Sequence, residues 1–302
     1  MLESIIIYGI IVGLTYALIA LGFSLIYGIS GIVNLTHGAF FVIGAYLYGI
    51  LLGHLSGFIP PTYSYLTPIL AMILSSIITG IAGSIFYRIT IHQILGDDVS
   101  ILIASMLSCL IFQKIIYVTM GAMPAFSYSI PPLASGMVTL INVSVPRGQA
   151  IAALISFIGF ATLSLFISKT KTGRAMKALS QDLEAAMLMG VSTEKLYMLA
   201  NALSAGLASL GGILYTSTVT FGVTSYMWLI GLSLAFSSVV VGGLGSIKGS
   251  LLGGIILGLA QVSAMKTIPR SGELQTSIPF IIIILVLMIR PKGIFGKRVE
   301  ME

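Results

Sequence analysis

The sequence predicts an all-α protein, a polytopic transmembrane helical bundle, and three observations carry that expectation. The chain is 57% hydrophobic, with a mean hydropathy of +1.08 and only 8% charged residues, where soluble domains carry roughly 25%. No Asp, Glu, Lys or Arg falls between Glu3 and Arg88, and none between Lys195 and Lys248. The apolar stretches are also long enough for bilayer-spanning helices, which need about 20 residues. They lack the apolar–polar alternation of a membrane barrel. An ordinary water-soluble enzyme is excluded.

Nine segments read as spans, near 4–28, 32–53, 66–88, 99–119, 148–168, 196–217, 227–244, 249–266 and 276–290. They are expected to be helices, because only a helix satisfies its own backbone inside lipid. The fourth and last are short, and only Ser30-Gly31 separates the first two, so eight to ten spans all fit. The first stretch is preceded by Glu3 rather than by a basic flank and runs too long for a cleaved leader. Residues 1–302 are expected to form one transmembrane domain, with 169–195 its longest polar stretch and no soluble domain appended.

Orientation follows from Lys and Arg, which favour cytoplasmic loops. Lys169, Lys171, Arg174 and Lys177 crowd one loop, and Arg290, Lys292, Lys297 and Arg298 crowd the C-terminus. Nine spans put both groups on one side with Arg88, Lys195 and Lys248, which is 11 of the 15 basic residues. The other side keeps Arg147 and Arg270, with Lys114 and Lys266 near span ends, where long side chains snorkel. The 169–195 loop and the C-terminus are thus expected in the cytoplasm and the N-terminus outside. The net charge of +6 does not point to nucleic acid, since the basic residues sit beside apolar runs. Lone Cys109 has no intrachain disulfide partner.

Small residues recur every four positions at Gly245, Gly249 and Gly253, at Gly9, Gly13 and Ala17, at Ser76, Gly80 and Ser84, and at Ser204, Ala208 and Gly212. Such stripes let helix backbones approach closely, either as static packing or as surfaces that slide around a pathway.

The chemistry of a self-sufficient machine is missing. Ion-coupled carriers and pumps place acids or lysines within the membrane, whereas the acids here lie in loops or near termini. The stretch from Gly293 to Arg298 lacks the glycine spacing and the hydroxyl residue of a phosphate loop. His37, His54 and His92 have no metal-ligand spacing, and no nucleophile elbow is present. No catalytic residue, metal or bound cofactor is expected. A bundle without a motor suggests one that borrows a motor.

That puts weight on residues 169–195, KTKTGRAMKALSQDLEAAMLMGVSTEK. Thr172 or Gly173 opens a short helix running to Leu179. Ser180 is the expected N-cap of a second, with Asp182 in its first turn. Ala185, Ala186, Leu188 and Met189 give that helix a small apolar surface. Gly190 suits a left-handed C-terminal cap, and Ser192 caps the following span. Two readings remain at this point, a rigid knob pushed by a partner and an ordinary amphipathic loop.

Glu184-Ala185-Ala186, followed after three residues by Gly190, resembles the EAA loop of ABC-importer permeases, without that loop's later isoleucine and Leu-Pro pair. Further stretches are similar to the branched-chain amino-acid permease family of LivH type. They are the run from Gly13 through Tyr16 and Ala17 to Gly22, then Tyr27-Gly28, and Asn34 with His37-Gly38. Thr172-Gly173-Arg174-Ala175, Asp182 and Leu188-Met189-Gly190 follow. The run from Gly242-Gly243 through Gly245-Ser246 to Gly249, and the ending from Arg290-Pro291 through Gly293 and Phe295 to Gly296, complete the series.

The resemblance implies a permease subunit of an ATP-driven importer of branched-chain or related amino acids in a prokaryotic plasma membrane. It implies a second, related permease, two cytoplasmic ABC ATPases that hold the ATP and Mg, and an extracytoplasmic substrate-binding protein. Arg174, Asp182 and Glu184 would serve the ATPase contact, and Ala185, Ala186 and Gly190 would be small enough for its cleft. Asn34 and His37, with Asn201, either line an inner vestibule or hold the break between the first two spans by hydrogen bonds. Gln261 is expected to join helices, and Tyr215 and Trp228 to lie in interfacial belts. Similar permeases take urea, short amides or other small polar solutes. A stand-alone carrier or channel is disfavoured by the missing membrane carboxylates, and an intramembrane enzyme by the missing catalytic groups.

Overall fold

Eleven α-helices are found among the described residues of the computed structural model, which are 2–60, 65–120, 128–220, 222–267, 277–290 and 293–295. Arg270, Pro291, Lys292, Gly296, Lys297 and Arg298 lie outside them. The helices are α1 (Leu2–Ser30), α2 (His37–Phe58), α3 (Leu66–Phe86), α4 (Asp98–Met120), α5 (Arg147–Lys169), α6 (Lys171–Leu179), α7 (Leu183–Leu188), α8 (Thr193–Tyr215), α9 (Trp228–Gly242), α10 (Ile247–Thr267) and α11 (Ile278–Ile289). Eight helical runs are long and apolar enough to cross a membrane, and α11 adds a shorter apolar helix of 12 residues. Each of the nine expected segments thus contains a helix, the second starting at His37 and not near residue 32, and α6 and α7 occupy the polar loop between the fifth and sixth. The protein is a polytopic helical bundle.

The ends of the spans carry irregular turns. A π-helical turn, Tyr87–Ile91, and a 3-10 turn, His92–Ile94, extend α3; another π turn, Thr216–Thr220, extends α8. Asp97 caps α4 by accepting hydrogen bonds from the Ser100 hydroxyl and the Ser100 and Val99 amides. Those donors, the hydroxyl first, hold its carboxyl below the usual range. Two short antiparallel ribbons supplement the helices. β1 (Tyr128–Ser129) pairs with β4 (Gly222–Val223), and β2 (Met137–Leu140) with β3 (Val143–Pro146). Ile141 and Asn142, both at positive φ, turn the second ribbon as a two-residue hairpin requires.

The bundle is built from two sets of three helices with opposite direction. α1 packs antiparallel on α10, and α8 packs antiparallel on α3; α2 lies against α3 and α8, while α9 lies against α10 and α1. Exchanging α1 with α8, α2 with α9 and α3 with α10 leaves these pairings unchanged. Because α1 and α8 run antiparallel, the relation is an inverted repeat, an arrangement frequent in transporters.

Glycine makes the central seams close. A Cβ on Gly258 of α10 would lie 2.5 Å from the Gly13 Cα of α1, and one on Gly13 would lie 2.7 Å from the Ile255 Cα. On the α3–α8 seam a Cβ on Gly80 would meet the Ala202 carbonyl at 2.9 Å, and one on Gly83 the Asn201 carbonyl at 3.0 Å. Gly249 and Gly253 of α10 face Gly242 and Ser238 of α9, whereas Gly245 precedes α10 at φ +75° and abuts Gly28. The stripe read as one surface is therefore divided between a seam and a turn.

The outward faces are apolar. Ile73, Ile77 and Ile81 of α3, Leu107 and Ile111 of α4, and Leu154 and Ile158 of α5 are all exposed, as surfaces that face lipid are. The Lys114 and Lys266 ammonium groups sit over the Tyr117 and Tyr8 rings, 5.5 and 5.3 Å from their centroids.

Gly258→Val is expected to force α1 and α10 apart and destabilise the bundle by about 1–3 kcal/mol, the usual cost of overpacking. Gly53→Ala, where a Cβ meets nothing within 4 Å, should be neutral or stabilising, because alanine is the better helix former. Thermal unfolding in detergent, followed by size-exclusion chromatography, compares the two directly.

Candidate functional site

The loop between α5 and α8 is built by caps. Thr170 opens α6: its hydroxyl accepts from the Gly173 amide at 3.0 Å and donates to the Phe166 carbonyl at 2.7 Å. The helix thus starts at Lys171, slightly before the expected Thr172 or Gly173. Ser180 does not cap α7 as expected. It closes α6 in a helical conformation, and its hydroxyl donates back to the Lys177 carbonyl at 2.8 Å. An N-cap needs extended backbone, which Asp182 has at φ −154° and ψ 108°; its carboxylate accepts from the Ala185 amide at 2.9 Å.

The other end of α7 is a Schellman turn. Gly190 adopts φ +78°, its amide donates to the Met187 carbonyl at 2.9 Å, and the Val191 amide donates to the Ala186 carbonyl at 3.1 Å. These are the paired bonds that close a helix on a left-handed glycine. Ser192 stands at the N-cap of α8 without a side-chain cap bond. Two residues, Val191 and Ser192, link Gly190 to the start of α8 at Thr193. Arg88 approaches its first turn through Glu194 at 3.9 Å, an exposed pair worth little by itself.

The faces of α7 are unequal. Ala186, 5% exposed, packs inward among Met176, Leu179, Leu196 and Ala200. Glu184 and Ala185 are exposed, as are Leu183, Met187, Leu188 and Met189, the last two at 88% and 85%. Ala185 and Glu184 therefore point outward, Ala186 serves the helix's own attachment, and Arg174 stands apart on α6. Leu183 and Met187 were not singled out from sequence, although Leu183 stands three residues before Ala186 and four before Met187, on the same short turn.

Asn34, His37 and Asn201 come together in the bundle interior at 3%, 1% and 5% exposure. His37 bonds the Ser204 hydroxyl through Nδ1 and the Ile19 carbonyl through Nε2, each at 3.0 Å. Ile19 is eleven residues from the end of α1, about 16 Å at 1.5 Å per residue. Chain 31–36 thus turns back into the bundle after Gly31, whose φ is +70°, before α2 starts. The Asn34 amide group donates to the Asn201 carbonyl oxygen at 3.3 Å, and Asn201 donates in turn to the Tyr197 carbonyl at 2.9 Å.

Partners on α4 complete the re-entrant segment. The Leu35 amide donates to the Ser105 hydroxyl, the Thr36 hydroxyl donates to the Ser105 carbonyl, and the Cys109 thiol donates to the Leu35 carbonyl. Asn34 accepts from the Thr36 amide at 3.0 Å. Sequence reasoning missed Ser105 and Cys109, although with Gln113 they mark one face of α4 at four-residue intervals. Gln113 accepts from the Trp228 indole at 2.8 Å. Trp228 thus lies at the start of α9, beside Gly38, and Tyr215 is 3% exposed against Tyr16 and Phe41. Tyr215 therefore faces the bundle interior and not an interfacial belt, whereas Trp228 is half-buried at the first residue of α9. The Tyr16 hydroxyl donates to Gln261 at 2.7 Å, joining α1 to α10. Among the described residues no three His, Cys, Asp or Glu side chains gather as a metal site would require.

A bundle of apolar spans in an inverted repeat, with a capped knob between its halves, is the form of a membrane permease. The family described as "Branched-chain amino acid transport system / permease component" matches residues 5–287. The chain is 31% identical over 301 residues to the high-affinity branched-chain amino acid transport system permease protein LivH of Salmonella typhimurium, covering 97% of this chain and 95% of that one. It is 31% identical, with the same coverage, to BraD of Pseudomonas aeruginosa, which carries the same description. The chain belongs to the branched-chain amino-acid ABC transporter permease family. Among solved structures, PsaBC from Streptococcus pneumoniae in complex with Fab shares the fold at a TM-score of 0.52 and 15% identity, over 98% of both chains. As a permease component this chain is the transport subunit, and ATP hydrolysis belongs to its partners.

His37→Ala would strip two buried hydrogen bonds from the re-entrant segment and is expected to cost roughly 2 kcal/mol, read as a lower unfolding temperature in detergent. Asp182→Ala removes the N-cap of α7, worth about 1 kcal/mol. Hydrogen exchange should then accelerate at the α7 amides while the spans keep their protection.

Proposed function

We propose that this chain is a single permease domain of an importer for branched-chain or related amino acids. It works by alternating access beside a second, related permease, with two cytoplasmic ATPases and an extracytoplasmic binding protein as partners. The observation that carries the reading is α7, a short helix clamped by Asp182 and Gly190 that holds Leu188 and Met189 almost fully in solvent. An exposed apolar pair on a rigid knob needs a protein partner to cover it. On this reading the knob docks in a cleft of the ATPase, with Glu184 supplying a charged contact and Ala185 and Gly190 allowing close approach. The basic residues support a cytoplasmic position for this loop and the C-terminus, with the N-terminus outside.

The mechanism follows from attachment. When ATP closes the ATPase pair, α7 is displaced, and the two-residue link after Gly190 passes the movement to α8. That helix packs against α1, α2 and α3, so its tilt shifts both halves of the inverted repeat. The buried polar set around Asn34, His37 and Asn201 keeps the re-entrant start of α2 attached to α8 during the movement. Few charged groups lie within the spans, so a zwitterion meets little that would hold it, and selectivity falls to the binding protein.

Glu184→Ala should cut leucine uptake by reconstituted transporter at least tenfold, while ATP hydrolysis continues and the chain still inserts. Mass spectrometry of proteins that co-purify with the tagged chain provides the first check. Recovery of the chain alone, even after cross-linking at position 184, would sink the proposal.

A further inference from the structure

Helix α6 carries a surface that the coupling knob does not use. Gly173, Met176 and Leu179 are buried, with Met176 and Leu179 in one cluster with Leu21 and Ile29 of α1, Leu163 of α5 and Leu196 of α8. At 3.6 residues per turn, Lys171, Arg174 and Lys177 fall on the opposite side, and all three are exposed. Lys169, the last residue of α5, is exposed as well. Among the described residues none of these four cations forms an ion pair, since the one found joins Arg88 to Glu194. The nearest acid in sequence, Asp182, is turned toward the Ala185 amide.

Position fixes the level of this surface. Only Thr170 separates α5 from α6, and Gly173 is pressed against Phe166 and Ile167, so α6 is folded tightly onto the end of the span. The span itself is peripheral. Leu154, Ile158 and Leu165 are 58%, 53% and 58% exposed, and they form a strip that reaches Lys169 one turn after Leu165. An apolar exposed strip that ends in cations is the profile of a surface running from acyl chains into headgroups. The apolar tip of α7 has different chemistry and suits a protein cleft.

We propose that Lys169, Lys171, Arg174 and Lys177 form a binding surface for anionic phospholipid in the leaflet on their side of the membrane. The planar Arg174 fork pairs with phosphate oxygens and the lysines act as flanking point charges. This assigns Arg174 to lipid rather than to the ATPase contact. It requires only that the chain spans a membrane, so it stands or falls independently of the importer reading.

The test is native mass spectrometry of the purified full-length chain, titrated with phosphatidylglycerol or with phosphatidylcholine of the same acyl chains. The wild type should retain the anionic lipid preferentially. At about 1 kcal/mol per basic residue near an anionic surface, each neutralisation should lower apparent affinity roughly fivefold. K171Q/R174Q/K177Q would then fall on the order of 100-fold, whereas K171R/K177R should bind as wild type. The control K195Q/K248Q, which removes exposed cations elsewhere, should not change binding. If the triple variant fails to fold, the single variants Lys171→Gln and Lys177→Gln give the same graded reading. Undiminished binding in the variants, or equal loss in the control, would overturn the proposal. So would loss of co-purifying ATPase with lipid retention intact, which would give the surface to a protein partner.

Discussion

A bilayer interior offers no hydrogen bonds, and that constraint governs the centre of this protein. Any backbone there that is not helical must be satisfied by the protein itself. Residues 31–36 are such backbone: Leu35 donates to Ser105 and accepts from Cys109 on α4, and Thr36 donates to Asn34, while the Asn34 and His37 side chains reach Asn201 and Ser204 on α8 and Ile19 on α1. The requirement explains why polar side chains are buried in so apolar a chain. It also explains why they cluster where α2 begins. A histidine bonded at both ring nitrogens is a fastener here, holding a helix start against α1 and α8 together.

Close packing supplies what hydrophobicity cannot. Between helices in lipid there is no apolar driving force of the aqueous kind, so association depends on contact and on hydrogen bonds. The α1–α10 and α3–α8 seams achieve contact by removing side chains, with Gly13 and Gly258 on one and Gly80 and Gly83 on the other. Both seams join one half of the inverted repeat to the other, α1 to α10 and α3 to α8, and α8 also packs against α1 and α2 of the opposite half. A displacement of α8 therefore cannot stay local.

Hydropathy made the spans legible, because apolar length and the absence of charge are properties of residues near each other in sequence. The loop was legible in outline for the same reason, since Gly190 and Asp182 act within one turn. Its N-cap was misassigned because Ser180 and Asp182 are both good caps, and only the conformation closing α6 decides between them. The re-entrant segment was harder to see. Its evidence lies in pairs such as Asn34 with Asn201 and Leu35 with Ser105, about 70 to 170 residues apart. Residue type alone suggests an interfacial place for Tyr215, and the interruption between α8 and α9 that buries it leaves little local mark. The inverted repeat left no clear sequence trace, because glycine seams constrain size and not identity.

The separation of charge from the spans ties these features together. Among the described residues the acids and most of the bases lie at the ends of the helices, and His37, inside the bundle, is bonded at both ring nitrogens. On the proposed importer reading, movement is imposed from outside, through a part that is both exposed and rigid. Among the described residues α7 combines those properties: its tip lies in solvent, both ends are fixed by caps, and Ala186 anchors it to the helix that carries Asn201 and Ser204. α6 completes the arrangement by holding the same loop against the ends of α1, α5 and α8; on the proposed reading, a force on α7 then turns into tilt of α8 instead of bending the loop.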